Sequence, residues 1–424
     1  MTITQTTKLA ALIALLPSAF ATGCNAHPTK DVEYQTGGGI DVDGDGESGD
    51  AGDDASGDDE GDGSGEGDGA DDGSDDDGPN HGEGDDGGAD GGDGGEPGEP
   101  TCTSSIIDVA ANPPEVMLVL DKSTSMVNDS WMHNGNSVRR WESLHAVVSE
   151  VATRYEGSMN FGAVLFPSLD AQGVNSGFSG SCRMADAADV HTAANNASEI
   201  LAAMPNADDF EAIRGRTPAR AGIELAAANL AALQSKGGRA MILVTDGLAN
   251  CASEDQPNLY DQSMPAAVAA AAAQQIPTYV VGIDIRDEHV SYADANALQE
   301  LNTVALAGGV PASAAVGEPA FYDASDETAL HEALDAIAAR VECTIPLTEP
   351  APQDAIVTIT VDDEEVSEIS DCVSEDGWLF TDSNARASIE LCGTACEALR
   401  VTGFVETTAC GPNEVPDVPS LPVP

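Results

Sequence analysis

Positive charge is scarce in this sequence. Its 424 residues include 16 Lys and Arg against 74 Asp and Glu, so the formal net charge is −58 at pH 7. Residues 41–100 alone hold 25 acidic residues and no Lys or Arg, and the acidic excess continues in the residues that follow them. A surface with this charge argues against nucleic acid and anionic lipid head groups as partners. It is compatible with bound cations.

The short motifs of common hydrolases are also missing. The seven histidines are scattered, and the sequence has neither a His-x-x-x-His pair nor a Gly-x-Ser-x-Gly turn. A hydrolase with two metal ions would need more clustered carboxylates than this chain offers near its polar motifs. The sequence therefore predicts a protein that is not an enzyme.

Beyond the first residues of the chain, no apolar stretch is long enough to span a bilayer without interruption. Lys8 followed by the apolar stretch Leu9–Phe20 indicates a secretion signal, and that stretch is too short for a membrane-spanning helix. Ala21-Thr22-Gly23-Cys24 resembles a bacterial lipobox, which implies a signal peptide over residues 1–23 and lipidation of Cys24. Ordinary cleavage, with Cys24 as a structural cysteine, is the alternative.

The lipobox resemblance also bears on location. Asn25 rather than Asp follows the cysteine, so no inner-membrane retention signal is evident. Acyl chains on Cys24 would anchor the protein to a membrane without a transmembrane helix. The expected location is the cell envelope, at the outer membrane or the cell surface.

Residues 24–100 are predicted to be a linker. From residue 37 onward they consist almost entirely of Gly, Asp, Glu, Ser and Ala, which cannot bury enough apolar surface to offset the entropy of ordering. We expect a disordered acidic spacer. Asp41–Gly46 resembles the start of a calcium-binding loop, but Gly52 stands where that loop needs its Glu.

Residues 101–345 alternate short apolar runs with helical patterns. This alternation predicts an α/β fold, a doubly wound and mostly parallel sheet flanked by helices. The predicted strands are Val116–Leu120, Phe161–Phe166, Ala240–Val244, Tyr279–Ile283 and a short one at Phe321–Tyr322. The predicted helices cover Trp141–Tyr155, Pro218–Leu233 and Leu330–Val341.

The pattern changes after Cys343. Residues 346–410 are predicted to form a small Cys-rich β module, and residues 411–424 a Pro-rich tail. The predicted strands of the module are Ala355–Val361, Gly377–Phe380, Ser388–Leu391 and Val401–Val405. A module of this size has a thin core and depends on covalent links for its stability.

Eight cysteines remain besides Cys24. An even number in an exported chain favours disulfides. Zinc binding by Cys392 and Cys396 is the competing interpretation, although no second Cys or His pair accompanies them. Cys102 and the C-terminal cysteines would tie the start of the folded part to its end, with no connectivity assigned.

One short polar run follows a buried strand directly. Asp121-Lys122-Ser123-Thr124-Ser125 places a carboxylate and two hydroxyls at alternate positions after Val116–Leu120. Thr217 precedes a helical pattern, and Asp246 lies one residue beyond the strand Ala240–Val244. In open α/β sheets ligands bind at the carboxyl ends of the strands, and oxygen ligands of this kind suit Mg²⁺ or Mn²⁺. For Thr217 a helix N-cap role, with Pro218 at the first helical position, is an alternative compatible with ligation.

These five residues resemble the metal-ion-dependent adhesion site of von Willebrand factor type A domains, over roughly residues 113 to 341. The resemblance implies that Ser123 and Ser125 bind the metal directly and that Thr217 binds it directly or through water. Asp121 and Asp246 would act largely through water and hold the hydroxyls. An acidic side chain of a partner protein would fill the open coordination position.

Three neighbouring features bear on this site. Cys182 and Cys251 lie in loops expected at the same face, so we expect them to form a disulfide. Arg214 and Arg216 flank Gly215 beside Thr217; they either recruit an anionic ligand or point to solvent and pair with carboxylates. Trp131, in a loop over this face, either contacts a partner or packs the loop.

The leading functional prediction is a lipid-anchored surface protein that captures a protein ligand through a divalent metal. The alternative is an envelope scaffold in which the metal only stabilises the fold. Removal of one metal-binding hydroxyl would separate the two, because only the first role loses ligand capture without unfolding.

Overall fold

The computed structural model describes residues 102–252, 260–290, 294–372 and 374–411. The predicted signal peptide, the lipidation at Cys24, the acidic spacer and all but the first residue of the Pro-rich tail lie outside these residues. Across the described part of the chain, no helix is long and apolar enough to cross a membrane.

Seventeen strands are found in the described residues. In chain order they are β1 Thr103–Asp108, β2 Glu115–Asp121, β3 Ser130–His133, β4 Asn136–Arg139, β5 Asn160–Phe166, β6 Val190–Ala193, β7 Arg239–Thr245, β8 Thr278–Ile283, β9 His289–Val290, β10 Ala295–Asn296, β11 Tyr322–Ala324, β12 Thr344–Pro346, β13 Ile356–Val361, β14 Glu364–Val366, β15 Gly377–Phe380, β16 Ser388–Cys392 and β17 Phe404–Cys410.

Nine α-helices and one 3₁₀ turn, Val174–Ser176, accompany them in the same residues. The helices are α1 Ser125–Asn128, α2 Arg140–Tyr155, α3 Phe178–Ser181, α4 Ala197–Ala203, α5 Ala219–Ala231, α6 Met264–Ala272, α7 Ala297–Ala307, α8 Glu327–Glu342 and α9 Thr394–Thr402.

The largest sheet has six strands in the order β11-β8-β7-β2-β5-β6. All neighbours in it are parallel except β5 and the edge strand β6, which are antiparallel. Every residue of β2 is buried, because the strand lies in the middle of the sheet with helices over both faces. The predicted α/β class with a mostly parallel sheet is confirmed, and the expected short strand at Phe321–Tyr322 begins one residue later, at Tyr322.

Two hydrophobic cores cover the two faces of this sheet. One contains Trp141 and Leu144 of α2 together with Leu334 and Ile337 of α8. The other contains side chains of α5, α6 and α7, with Ile223 among them. The sequence analysis did not identify α6 and α7. For α6 the reason is that its Ala-rich stretch shows little contrast between an apolar and a polar face.

The C-terminal region forms two antiparallel sheets around a third core. One sheet has the order β1-β17-β13-β14 and the other the order β12-β16-β15. Its core contains Trp378, Ile389, Leu399 and Val405. Strand β1 was not predicted, and it brings the first described residues of the chain into the C-terminal sheet. The proposed domain limits 101–345 and 346–410 stay predictions.

The strand predicted at Val401–Val405 is wrong in its first half. Helix α9 extends to Thr402, because Ala395, Cys396 and Leu399 bury one helical face. Gly403 ends the helix in the left-handed conformation, with φ +74°, which glycine adopts without steric cost. Strand β17 begins only after this turn.

Four disulfides link the described residues. The pairs are Cys102–Cys410, Cys182–Cys251, Cys343–Cys396 and Cys372–Cys392. Cys392 and Cys396 thus belong to two different disulfides, so the zinc interpretation of their spacing is wrong. Cys372, Cys392 and Glu390 lie close together, but sulfurs bonded to each other offer no thiolate to a metal.

Candidate functional site

Asp121 forms the floor of the site, at the carboxyl end of β2. Its side chain is fully buried, and its Oδ1 accepts a hydrogen bond from the backbone N–H of Ser123 at 2.8 Å. Its Oδ2 accepts one from the Thr245 hydroxyl at 2.7 Å. Burial and the nearby charge of Asp246 raise the pKa of Asp121 to about 7, because the ionised form loses its hydration.

The two serines of the motif are joined to Asp246 by hydroxyl hydrogen bonds. Ser125 Oγ donates to Asp246 Oδ1 at 2.8 Å, and Ser123 Oγ lies 2.9 Å from Ser125 Oγ. Since Ser125 uses its only hydroxyl hydrogen on Asp246, Ser123 is the donor of the second bond. The sequence therefore brings two strand ends, β2 and β7, into one connected group of oxygen atoms.

Thr217 lies at the same place but not in the role of a helix cap. Helix α5 begins at Ala219, Pro218 precedes it, and no side chain caps this end by a hydrogen bond. The expected N-cap at Thr217 is therefore wrong. The backbone of Thr217 is instead held by Asn250, whose Oδ1 accepts from Thr217 N at 2.9 Å and whose N–H donates to Thr217 O at 3.1 Å.

A surface depression of about 400 Å³ opens above these residues. We call it the strand-end depression; its lining includes Ser123, Ser125, Thr217 and Asp246. Four of the five predicted metal-binding residues thus line one opening, and Asp121 supports it from below.

Gly215 joins the Thr217 loop to the motif through hydrogen bonds with Thr124. Its N–H donates to Thr124 Oγ1 at 3.0 Å, and its carbonyl accepts from Thr124 N at 3.2 Å. Its φ is +110°, and a Cβ here would lie 2.6 Å from Pro167 Cγ and 2.8 Å from Ser181 O. Both the backbone conformation and the close approach require glycine at this position.

The rim is braced by a disulfide and two arginines. The bond between Cys182 and Cys251, the pair named in the sequence analysis, links the loop after β5 to the loop after β7. Arg214 Nε donates to Ala171 O at 2.9 Å, and Arg216 Nη2 donates to Val174 O at 3.3 Å. Both arginines therefore hold the loop after β5 through backbone carbonyls.

Trp131 packs the neighbouring hairpin β3-β4 and is not a contact surface. The residue is 6% exposed, and its indole N–H donates to Ser143 Oγ at 2.9 Å. Ser143 in turn donates to Glu327 Oε2 at 2.7 Å, which joins α2 to α8. The hairpin turns at Asn134-Gly135, both with positive φ, a turn signal that the sequence analysis did not use.

Arg140 is the residue of the site that sequence reasoning missed. It is the first residue of α2, and its guanidinium is almost completely buried. Its Nη1 donates to Asp246 Oδ2 at 2.9 Å and lies 3.2 Å from Asp129 Oδ2. Its Nη2 donates to Asp284 Oδ2. No local pattern reveals these contacts, because the three carboxylates come from separate loops.

Charge is unusually concentrated around the motif. Burial raises the pKa of Asp246, and the Arg140 guanidinium opposes that rise. Lys122 is also buried, with Nζ 3.2 Å from Ala212 O, and burial lowers its pKa to about 8. Burying charges of this kind costs free energy of folding unless they form ion pairs with each other or bind a ligand.

Comparison with known proteins gives similarity of structure at low sequence identity. A scan against protein-family models found no match, and a search of curated proteins found none either. The pilus adhesin SpaC from Lactobacillus rhamnosus GG, in its open conformation, is 17% identical with a TM-score of 0.41, over 76% of this chain and 42% of that one. The chain therefore spans less than half the length of that adhesin.

Two further solved structures show the same level of similarity. The PilB minor pilin from Streptococcus sanguinis is 15% identical with a TM-score of 0.35, over 55% of this chain and 61% of that one. The conserved hypothetical protein BatB from Bacteroides thetaiotaomicron is 17% identical with a TM-score of 0.32, over 53% of this chain and 98% of that one. At these scores, neither the family nor the function of this chain follows from its neighbours.

Proposed function

We propose that the strand-end depression binds one Mg²⁺ or Mn²⁺ and that the protein uses this site to bind an acidic group of a partner protein. The observation that carries the proposal is a pair of buried carboxylates, Asp121 and Asp246, hydrogen-bonded to Ser123 and Ser125 beside Thr217 at one opening. Burial raises the pKa of both carboxyls because their ionised forms lose hydration, and a bound cation would offset that loss.

The donor atoms fit a hard divalent cation. Ser123, Ser125 and Thr217 would offer hydroxyl oxygens, and Asp246 would offer or orient a carboxylate oxygen. Asp121 would act from behind by holding the backbone of Ser123. Oxygen donors of this kind are those that Mg²⁺ and Mn²⁺ prefer.

When bound, the cation would supply a positive charge that the hydroxyls and the Asp246 carboxylate only partly neutralise, so that an incoming carboxylate is attracted. The residues of the chain supply the rest. Gly215 and Asn250 hold the Thr217 loop beside the motif, and the bond between Cys182 and Cys251 holds the rim. This arrangement favours ligand capture on a rigid surface.

The proposed setting is the outside of the cell. Secretion, lipidation at Cys24 and an acidic spacer over residues 24–100 together would hold the site away from a membrane. The second candidate function is a structural one, in which the cation only stabilises the fold of an envelope protein. Asp121 is completely buried beneath the depression. A cation that offsets the free-energy cost of burying its charge would stabilise the fold, which favours this second candidate.

The test is Mn²⁺ binding to the full chain, followed by electron paramagnetic resonance. We expect one tight site that is lost in Ser125→Ala, because that hydroxyl bridges Ser123 and Asp246. Ser137→Ala is the matched control, since Ser137 is an exposed hydroxyl on the neighbouring hairpin. All three proteins carry the acidic spacer, so the comparison between them cancels its contribution to Mn²⁺ binding.

A second measurement separates the two candidate functions. Water-proton relaxation by the bound Mn²⁺ should fall when acetate is added, because a carboxylate displaces coordinated water. Tight binding that raises the melting temperature without any response to acetate would support the structural role. Absence of a tight site in the wild-type chain would overturn both.

A further inference from the structure

Arg140 binds one oxygen of the Asp246 carboxylate, and the other oxygen of that carboxylate belongs to the proposed metal site. Asp246 Oδ1 accepts from Ser125 Oγ at 2.8 Å, while Asp246 Oδ2 accepts from Arg140 Nη1 at 2.9 Å. The side chains of Arg140 and Asp246 are only 7% and 2% exposed, so water screens this pair weakly. A guanidinium keeps its charge at any pH that the fold tolerates.

Arg140 is also shared with two other carboxylates. Asp284, after β8, accepts from its Nη2, and Asp129, after α1, lies 3.2 Å from its Nη1. Both line the strand-end depression, together with Arg140 itself. The single positive charge of Arg140 therefore stands among three negative ones at the wall of the opening, and one of these, Asp284, also pairs with the exposed Arg286 at 3.3 Å.

We infer that Arg140 is a fixed counter-charge of the metal site, which limits how tightly the site holds a divalent cation. This inference rests on the proposed function. A cation bound beside Ser125 shares the Asp246 carboxylate with the guanidinium, and the two positive charges repel each other across it. Asp284 and Asp129 have the opposite effect, because each draws the charge of Arg140 away from Asp246.

The inference makes Arg140 a positioning and affinity-determining residue rather than a ligand. A purely structural brace would behave differently. Arg140→Gln and Asp284→Asn both remove the ion pair between Arg140 and Asp284, and each removes a further pair, of Arg140 with Asp246 or of Asp284 with Arg286. A brace therefore predicts that both variants weaken metal binding. A counter-charge predicts effects of opposite sign, because one variant removes a positive charge from the wall and the other removes a negative one.

The experiment measures the Mn²⁺ dissociation constant of the full chain at fixed ionic strength, with Mn²⁺ alone as the probe. We expect Arg140→Gln to bind Mn²⁺ about tenfold more tightly and Asp284→Asn to bind it several-fold more weakly, as Coulomb interactions at partly screened distances imply. Arg140→Lys keeps the charge and should stay close to the wild type. Arg154→Gln, at the other end of α2 in exposed ion pairs, is the matched control.

The outcomes are distinguishable. Weaker or unchanged binding in a folded Arg140→Gln protein, or shifts of the same sign in Arg140→Gln and Asp284→Asn, would overturn the counter-charge while the wild-type site stands. If Arg140→Gln does not fold, the other two variants still test the inference. Tighter Mn²⁺ binding by Asp284→Asn would contradict it, and so would a large change in Mn²⁺ affinity in Arg140→Lys. No tight site in any of these proteins overturns the inference together with the proposed function.

Discussion

The two folded regions reach stability by different means. The α/β region covers both faces of a six-stranded sheet with helices, and one disulfide links two of its surface loops. The C-terminal region has two small sheets, one short core and three disulfides. A large core leaves room for buried charge at the strand ends, whereas a thin core depends on covalent links.

This difference explains where the candidate site lies. Asp121, Lys122, Arg140 and Asp246 are buried together at one edge of the α/β sheet, and each of them costs free energy of folding. Two extensive cores can offset that cost. In the C-terminal region, the buried Glu390 forms an ion pair with Arg340 of α8 at 2.8 Å. This pair connects the C-terminal region to the α/β region.

The largest effect is expected from a substitution in the central strand β2, which tests how far the stability of the α/β region depends on its core. Leu120→Ala removes a fully buried side chain from β2, where helices on both sides prevent the structure from closing the cavity. We expect a loss of about 3–5 kcal/mol in the free energy of unfolding. Leu306→Ala, at an exposed site on α7, is the control and should change it by less than about 0.5 kcal/mol. Chemical denaturation measures both; a small loss for Leu120→Ala would contradict a core-based stability.

The dependence of the C-terminal region on covalent links is tested by a disulfide. Replacing Cys343 and Cys396 with Ser opens a link between residues 53 positions apart. We expect a loss of about 2–4 kcal/mol in hydrogen-exchange protection of β16 and β17, with little change in β2 and β7.

The matched control is removal of the bond between Cys182 and Cys251, 69 positions apart in the α/β region. It should loosen the two loops that it joins and leave the strands of both regions protected. Removal of the Cys343–Cys396 bond could instead lower hydrogen-exchange protection equally in β2 and β16. That result would show that the two regions unfold as one unit and would contradict the idea that they are stabilised by different means.

The smallest expected effect concerns a carboxyl of the α/β region. Burial raises the pKa of Glu300 to about 7 from 4.5, and its Oε1 has no hydrogen-bond partner among the described residues. The folded protein then keeps a proton that the unfolded chain has lost. The stabilising contribution is therefore complete below pH 4.5 and is lost as the pH rises to 7.

Glu300→Gln should remove this pH dependence. We expect its melting temperature to exceed that of the wild type by a few degrees at pH 8 and to equal it near pH 4. Thermal unfolding across this range measures the difference. A wild-type protein that gains stability between pH 5 and 7 relative to Glu300→Gln would contradict the sign.

The success of sequence reasoning followed the strength of local signals. The four long strands of the α/β sheet were predicted to within two residues, because each is a continuous apolar run that a doubly covered strand requires. Helices α2 and α8 were recognised by their amphipathic spacing. Helix α6 and strand β1 were missed, since the Ala-rich helix carries little periodic signal and β1 is defined by its pairing with β17. Helix α7 was missed although Leu301, Val304 and Ala305 bury one of its faces.

The same division holds for the site. The motif around Asp121 and the residues Thr217 and Asp246 were chosen by their resemblance to a metal-ion-dependent adhesion site. For Asp121 and Asp246 the expected proximity also follows from parallel strands, which direct their carboxyl ends to one edge. Their capacity to bind a metal stays a prediction. Thr245, Asn250 and Arg140 could not be chosen, because their contacts to the motif cross 33 to 124 positions of sequence.

The α/β class, the apolar strands and the oxygen-rich residues at their ends could all be predicted from the amino-acid sequence, since these depend on hydrophobic pattern and on residue chemistry over short distances. Three features emerge only in three dimensions: how the six cysteines other than Cys182 and Cys251 pair, how the Thr217 loop reaches the motif, and how a buried arginine shares its charge among three carboxylates. Such contacts join segments that are distant in the chain. They arise from packing in three dimensions, and a local pattern does not encode them.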